Sequence, residues 1–164
     1  MPFFIISQPC GSGQIKKPPL GGRLVGDAGT GSAAMKFRYE DLENWKVALR
    51  LIQVVFGILR KFPAEEKFGL VSQGKRAAVS LALNISEGSG RKTNKDFSLF
   101  INRSLTSLQE TDAVLMIGLA LGYIQAADYD EVDPLLKEGY FKMIAFDKKL
   151  RGELDRVRGY SASK

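Results

Sequence analysis

Histidine is absent from the sequence, and cysteine occurs once, at Cys10. Without an imidazole there is no Ser-His or Cys-His nucleophile pair, no histidine general acid or base and no His-ligated metal. One cysteine cannot close an intrachain disulfide or build a cysteine-rich zinc site, which fits a reducing compartment and makes the cytoplasm the expected location. Long apolar runs are also missing, since none reaches the roughly 18 residues that a membrane span needs. Met1-Pro2-Phe3-Phe4-Ile5-Ile6 has neither the basic start nor the apolar length of a signal peptide. The chain therefore reads as soluble and unexported, with no cofactor, no metal and no membrane partner expected.

Glycine and proline are unevenly spread. The first 34 residues hold seven of the 17 glycines and four of the six prolines, and they show no apolar periodicity. Such a segment cannot offset its ordering entropy, so residues 1–34 are expected to be a disordered, flexible extension whose deletion costs little stability. Met35-Lys36-Phe37 reads like a natural start, which leaves a native extension and an upstream mis-start both open.

Beyond Met35 the pattern is helical. Leu42, Trp45, Leu49, Ile52, Phe56, Leu59 and Phe62 recur at three- and four-residue steps and form one face, with Trp45, Phe56 and Phe62 expected in the core. Val47, Leu51, Val54 and Ile58 make a second stripe, displaced by roughly 140° around the helix. That arc is wider than one neighbouring helix can cover, and it predicts either a deeply placed helix or contact with another subunit. Pro63 closes this helix. A second helix ends at Glu87-Gly88-Ser89-Gly90, whose glycines suit a left-handed terminating turn. Thr93 with Asp96 reads as a capping box opening a third helix that Gly122 stops, and Asp128 with Glu131 repeats the pattern before a fourth. Val132, Leu136, Gly139, Met143, Phe146, Leu150, Leu154 and Val157 carry the fourth helix's apolar face, and Pro134 is tolerated in its first turns. The expectation is an all-α, antiparallel up-and-down four-helix bundle over residues 35–160, with helices at about 42–62, 66–87, 94–121 and 128–157.

Helix 2 carries Gln73, Arg76, Ser80, Asn84 and Glu87 on one face, beside the small and apolar line Leu70, Gly74, Ala77, Leu81 and Ile85. The polar line is either the solvated side of an amphipathic helix or a buried, structural polar seam, with Arg91, Arg103 and Glu110 available as partners. Other motifs are weak. Gly26-Asp27-Ala28-Gly29-Thr30-Gly31 lacks the strand-helix setting of a phosphate loop. Asp128, Asp130, Glu131 and Asp133 lack the glycine and terminal glutamate of a calcium loop, and helix capping accounts for two of them. The charged run from Lys148 to Arg158 reads as a solvated face.

Phe62-Pro63, Glu66, Phe68-Gly69-Leu70, Gln73, Arg76-Ala77, Val79-Ser80, Asn84-Ile85-Ser86-Glu87-Gly88 and Arg91, followed by Phe97, Phe100, Ser104-Leu105, Glu110 and Leu121-Gly122-Tyr123-Ile124, together resemble the four-helix-bundle family. It is also called the intervening-sequence protein family of large-subunit ribosomal RNA, or the S-twenty-three family. The likeness covers about Leu42 to Leu154, and Ser86 stands where usual members have alanine. The resemblance implies a cytosolic bundle that assembles into a ring, typically a pentamer, without demonstrated enzymatic activity. It also implies an association with RNA, because some members are encoded inside ribosomal RNA gene inserts. Related proteins serve as accessory subunits of reverse transcriptases in diversity-generating retroelements.

The formal charge of +6 and pI near 9.5 lean toward polyanionic partners. Nine basic residues face four acids between Arg60 and Arg103, while six acids and no base lie between Glu110 and Asp133. Lys75, Arg76, Arg91, Lys92, Lys95 and Arg103 are the candidate nucleic-acid-binding residues. The polar seam comprises Gln73, Arg76, Ser80, Asn84, Glu87 and Glu110. A ring would repeat the basic zone and give several phosphate contacts at once. The leading expectation is a non-enzymatic, homo-oligomeric protein that binds structured RNA or an RNA-handling partner. The alternatives are an adaptor without direct RNA binding, such as a reverse-transcriptase accessory subunit, and an enzyme built on Arg76, Asn84 and Glu87.

Overall fold

The computed structural model of the chain describes residues 35–162. Expectations placed on residues 1–34, Cys10 and the 26–31 loop among them, lie outside these residues, as do the side chains of Leu154 and Val157. Four helices follow in order: α1 (Glu43–Leu59), α2 (Leu70–Ser89), α3 (Asn94–Ala120) and α4 (Ala126–Ala162), with 3-10 turns at Arg38–Asp41 and Ala64–Lys67. The described residues form no strand.

Each boundary has a local cause. α1 ends at Leu59, three residues before the expected Phe62, where the Arg60 and Lys61 amides tighten onto the Gly57 and Ile58 carbonyls at 3.3 and 2.9 Å. Pro63 then holds the chain extended at φ −62°, ψ 154°. α2 begins at Leu70 and not at 66, because Glu66 folds back to accept from the Leu70 amide at 3.0 Å. Thr93 caps α3 as expected, its hydroxyl accepting from the Asp96 amide at 3.0 Å. Gly122 ends α3 at φ 73°, the left-handed region that glycine enters without strain, and the Tyr123 amide reaches back to the Gly118 carbonyl at 2.8 Å.

α4 starts two residues before the expected 128. Asp128 is not its cap: the carboxylate accepts from the Gln125 amide at 3.0 Å, so it closes the first turn from inside the helix. Pro134 consequently lies beyond the first turns, on an exposed side of α4.

α2 and α3 share the most extensive interface, followed by α3 with α4, α1 with α2 and α1 with α4. The backbones of the diagonal pairs stay apart, so the four helices form a square in chain order, closed by α1 against α4, with one shared core. The inner line of α2 is small, and Gly74 and Gly88 let its neighbours close in. A Cβ on Gly74 would stand 3.0 Å from Leu59 Cδ1 and Val114 Cγ1; on Gly88 it would stand 2.6 Å from Phe97 Cδ2 and 2.7 Å from Phe100 Cβ. Gly88 is thus a buried residue inside α2 and not part of a left-handed terminating turn. The helix runs on to Ser89, and Gly90 stays right-handed at φ −83°.

The face of α1 that reaches the core also differs from expectation. Val47, Ala48, Leu51, Val55, Ile58, Leu59 and the following Phe62 are buried, whereas Leu42, Trp45, Leu49, Ile52 and Phe56 are half-buried. Of the three expected core aromatics, only Phe62 is inside. The outer stripe runs along the α2 side, where Lys75 Nζ lies 5.6 Å from the Phe56 ring centre. Each fully buried Leu or Ile, such as Leu51, Ile101 and Leu115, contributes about 1.5–3 kcal/mol over an exposed one.

Candidate nucleic-acid interface

The short α2–α3 connection follows from the close helix approach at Gly88; it carries exposed Arg91 and Lys92, and exposed Lys95 follows in the first turn of α3. Arg103 joins them from α3. Its guanidinium carbon lies 4.8 Å from the centre of the Phe100 ring, and that of Arg91 lies 4.5 Å from the same centre. Phe100 is only 7% exposed, so the ring is a floor on which two cations rest. Arg91 also pairs with Glu87 one turn back. Among the described residues no carboxylate pairs with Lys92, Lys95 or Arg103. Guanidinium groups held in a fixed plane suit bidentate contact with phosphate oxygens.

The remaining two candidate cations stand elsewhere. Lys75 and Arg76 lie in the second turn of α2, about 22 Å along the helix from Arg91 at 1.5 Å per residue. Lys75 covers Phe56, and Arg76 donates to Gln73 Oε1 at 2.9 Å and lies 3.7 Å from Glu110. The six residues therefore do not make one surface. Four gather at the connection and two are engaged near the far end of α2.

The polar line from Gln73 to Glu87 does face α3, in three separate groups. Gln73 donates to Glu110. Asn84 donates to Ser80 Oγ at 3.2 Å, which also accepts from Ser107 Oγ at 3.1 Å. Glu87 holds Arg91. The line is not buried: Gln73, Ser80 and Asn84 are half-buried, and the Arg76 and Glu87 side chains are 72% and 56% exposed. The buried part of this crevice is supplied instead by α3, where Ser104 donates to the Leu81 carbonyl at 2.9 Å and Thr111 to the Ser107 carbonyl at 2.8 Å. Glu87 is a surface anchor for Arg91, not a carboxylate enclosed with Arg76 and Asn84.

The sequence model of the 23S rRNA-intervening sequence protein family matches residues 40–145. The chain belongs to this family. No curated protein matches it. The region shared with the 23S rRNA-intervening sequence proteins runs from the turn before α1 into the middle of α4, and it contains all six candidate cations. Outside it lie Arg38, which no sequence pattern singles out, and the pair Lys148 and Lys149. Arg38 sits with its guanidinium carbon 5.9 Å from the Phe97 ring centre, beside the start of α3.

Lys148 and Lys149 were read as a solvated face, and both are exposed. Their position is set by the buried Asp147, which accepts from Ser98 Oγ in the second turn of α3, from Asn102 at 3.4 Å and from Arg151 at 2.8 Å. The antiparallel return of α4 alongside α3 is what could have found them.

Acids outnumber bases at the opposite end, where Glu65, Glu66, Asp128, Asp130, Glu131 and Asp133 stand against Arg60, Lys61 and Lys67. Lys61 pairs with Asp128 across the α1–α2 and α3–α4 connections, and Tyr123 Oη lies 3.4 Å from Glu66 there. The hydrogen bond from Lys61, with a smaller one from the Gln125 amide, holds the Asp128 carboxyl below its ordinary value. Desolvation, reinforced by the 2.7 Å bond to Asp112, pushes the Tyr129 hydroxyl up to about 12. In this family member the bundle is thus polarised only in its excess charge: Arg38, Arg91, Lys92, Lys95, Arg103, Lys148 and Lys149 outnumber Glu40, Asp41, Glu43, Glu87 and Asp96 at one end, and Asp112, Asp128, Asp130, Glu131 and Asp133 lie toward the other. No described group of three or more acids is arranged to hold a metal ion. No described helix is long and apolar enough to cross a membrane.

Proposed function

We propose that this protein is a cytosolic, non-enzymatic binding protein that holds structured RNA through the basic end of its bundle. The observation that carries the reading is the pair of guanidiniums, Arg91 and Arg103, set on one buried ring beside Lys92 and Lys95. Exposed cations gathered in this way suit contact with phosphates, and none of them lines an enclosed pocket that would read a particular base. Filter binding across a salt series tests this. The double variant Arg91→Glu with Lys95→Glu is expected to flatten the slope of log affinity against log salt by about 1.5, two contacts at roughly 0.7–0.9 each. No binding at low salt, or an unchanged slope, refutes the reading.

Self-association is the second part of the proposal. Leu49, Ile52 and Phe56 leave an apolar strip on the outer side of α1, and Leu83 of the adjacent α2 is 60% exposed. On the opposite, α3–α4 side of the square, Tyr140 and Phe141 are 39% and 66% exposed. Unlike faces on opposite sides favour head-to-tail contact between copies, which closes into a ring such as a pentamer when the rotation per subunit allows. A ring multiplies the basic end and raises its avidity. If the working partner is instead a protein such as a reverse transcriptase, a pull-down survives nuclease treatment while RNA binding by the isolated protein is absent.

A further inference from the structure

Beside the basic end lies an aromatic ledge that the RNA reading has not used. Phe37 and Tyr39 stack with ring centres 5.7 Å apart and planes 11° from parallel. Tyr39 in turn packs against Trp45 at 4.5 Å. The ledge is held in place, because the Phe37 amide donates to Glu40 Oε1 at 2.8 Å and the Phe37 carbonyl accepts from the Glu40 amide at 3.1 Å. Phe37 is nonetheless 50% exposed. With Arg38 it borders a groove of about 420 Å³ whose other wall is Ser86, Ser89 and Gly90 at the end of α2. Gly90 leads directly into Arg91 and Lys92.

We propose that this ledge stacks an unpaired nucleobase of the RNA whose phosphates are held by Arg91 and Lys92. The inference rests on the RNA reading above and adds a preference for single-stranded segments. A planar, exposed ring offers its face to any base without hydrogen-bond readout, and such stacking is a principal way that proteins engage unpaired nucleotides. Arg38 lines the groove and Gly90 on its other wall leads into Arg91 and Lys92, so the occupant that fits it is planar and anionic. An apolar peptide would leave Arg38 and Lys92, which pair with no carboxylate among the described residues, without counter-ions. A perfect duplex hides its base faces and can use only the cations. Phe37 and Tyr39 lie just before residues 40–145, and Trp45, on which Tyr39 packs, lies within them.

The test uses the full chain and two labelled RNAs of equal length, a stem with an unpaired loop and an uninterrupted duplex, read by fluorescence polarisation at one fixed salt concentration. The wild-type protein is expected to prefer the stem-loop. Phe37→Ala is expected to weaken stem-loop binding by about 5- to 150-fold and to leave the duplex unchanged. Phe37→Tyr, which keeps the ring, is expected to retain the preference. Phe37 is exposed, so circular dichroism of Phe37→Ala should match wild type. Equal binding of the two RNAs by wild type overturns the ledge, as does a Phe37→Ala effect that is nil or equal on both. In those cases the Arg91 and Lys95 variants still decide the RNA reading. Failure of the wild-type protein to bind either RNA at low salt overturns both proposals together.

Discussion

Replacing Gly88 with alanine adds one methyl where α2 and α3 come closest. An alanine ordinarily improves a helix by about 0.5–1 kcal/mol over glycine. At Gly88 the new carbon would stand 2.6 Å from Phe97 Cδ2 and 2.7 Å from Phe100 Cβ, and the second atom moves only with the α3 backbone. Overpacking of this kind costs about 1–3 kcal/mol. The net loss is then about 0.5–2 kcal/mol, a fall in melting temperature of about 2–8 °C for a domain of this size. Gly57 supplies the control, since a Cβ there meets nothing within 4 Å. Gly57→Ala should raise the melting temperature by about 2–5 °C. Both are read by thermal unfolding under circular dichroism at one protein concentration, because self-association would shift the midpoint. A Gly88→Ala protein as stable as wild type would show that the α2–α3 approach is not sterically tight, and with it would go the account of how Arg91 and Arg103 are brought onto Phe100.

Three further outcomes are expected. Glu138 accepts from Lys142 at 3.0 Å and from Arg50 at 2.8 Å, and these bonds, Lys142's first, hold its carboxyl below the ordinary value against the opposing effect of desolvation. Its stabilisation is present above its ordinary value of 4.5 and is lost as pH falls through the depressed folded value, so Glu138→Gln should lose under about 1 kcal/mol at neutral pH and converge with wild type once the pH has fallen through that depressed value in urea titrations. Asp147→Ala removes the acceptor of the buried Ser98 hydroxyl and should cost about 1–3 kcal/mol by the same titration, whereas Ser98→Ala, which removes only the donor, should cost less. Leu83→Asp puts a charge on the exposed apolar side of α2 and should lower the assembly mass seen by light scattering without altering the helical spectrum; an unchanged mass would remove that side from the interface.

Helix number, order and several ends were legible because their signals are local. The Thr93 cap needs only the amide of Asp96, and Gly122 needs only its own φ and the carbonyls one turn back. What was misread depends on neighbours. α1 carries two apolar stripes of similar strength, and the choice between Leu51 and Ile52 as core is made by where α2 and α4 dock, which no single-helix pattern contains. Gly88 and Gly90 look alike in sequence, yet only Gly88 lies under Phe97 and Phe100. At the candidate site, Arg91, Lys92 and Lys95 were visible as a charge run, and Arg103 joined them once α3 was known to pack on α2. Arg38, Lys148 and Lys149 were hidden because long stretches of chain separate them from that run. Lys75 and Arg76 were placed with the others by composition alone, and the rise of α2 separates them.

The square arrangement, with each helix backbone beside two others, bears on how the protein folds. Three of its four helix interfaces join neighbours along the chain, and only α1 with α4 requires a long loop to close. Chains built this way have low loop-closure cost and fold fast. The α2–α3 hairpin has the most extensive interface and one of the shortest connections, so it is expected to be structured in the transition state, with α1 and α4 closing afterwards. φ-values for Ile85→Val and Ile101→Val should then exceed those for Val55→Ala and Met143→Ala. The basic connection would take its shape before the rest of the bundle exists. During synthesis, the surface proposed to meet RNA could be in place while α4 was still emerging from the ribosome.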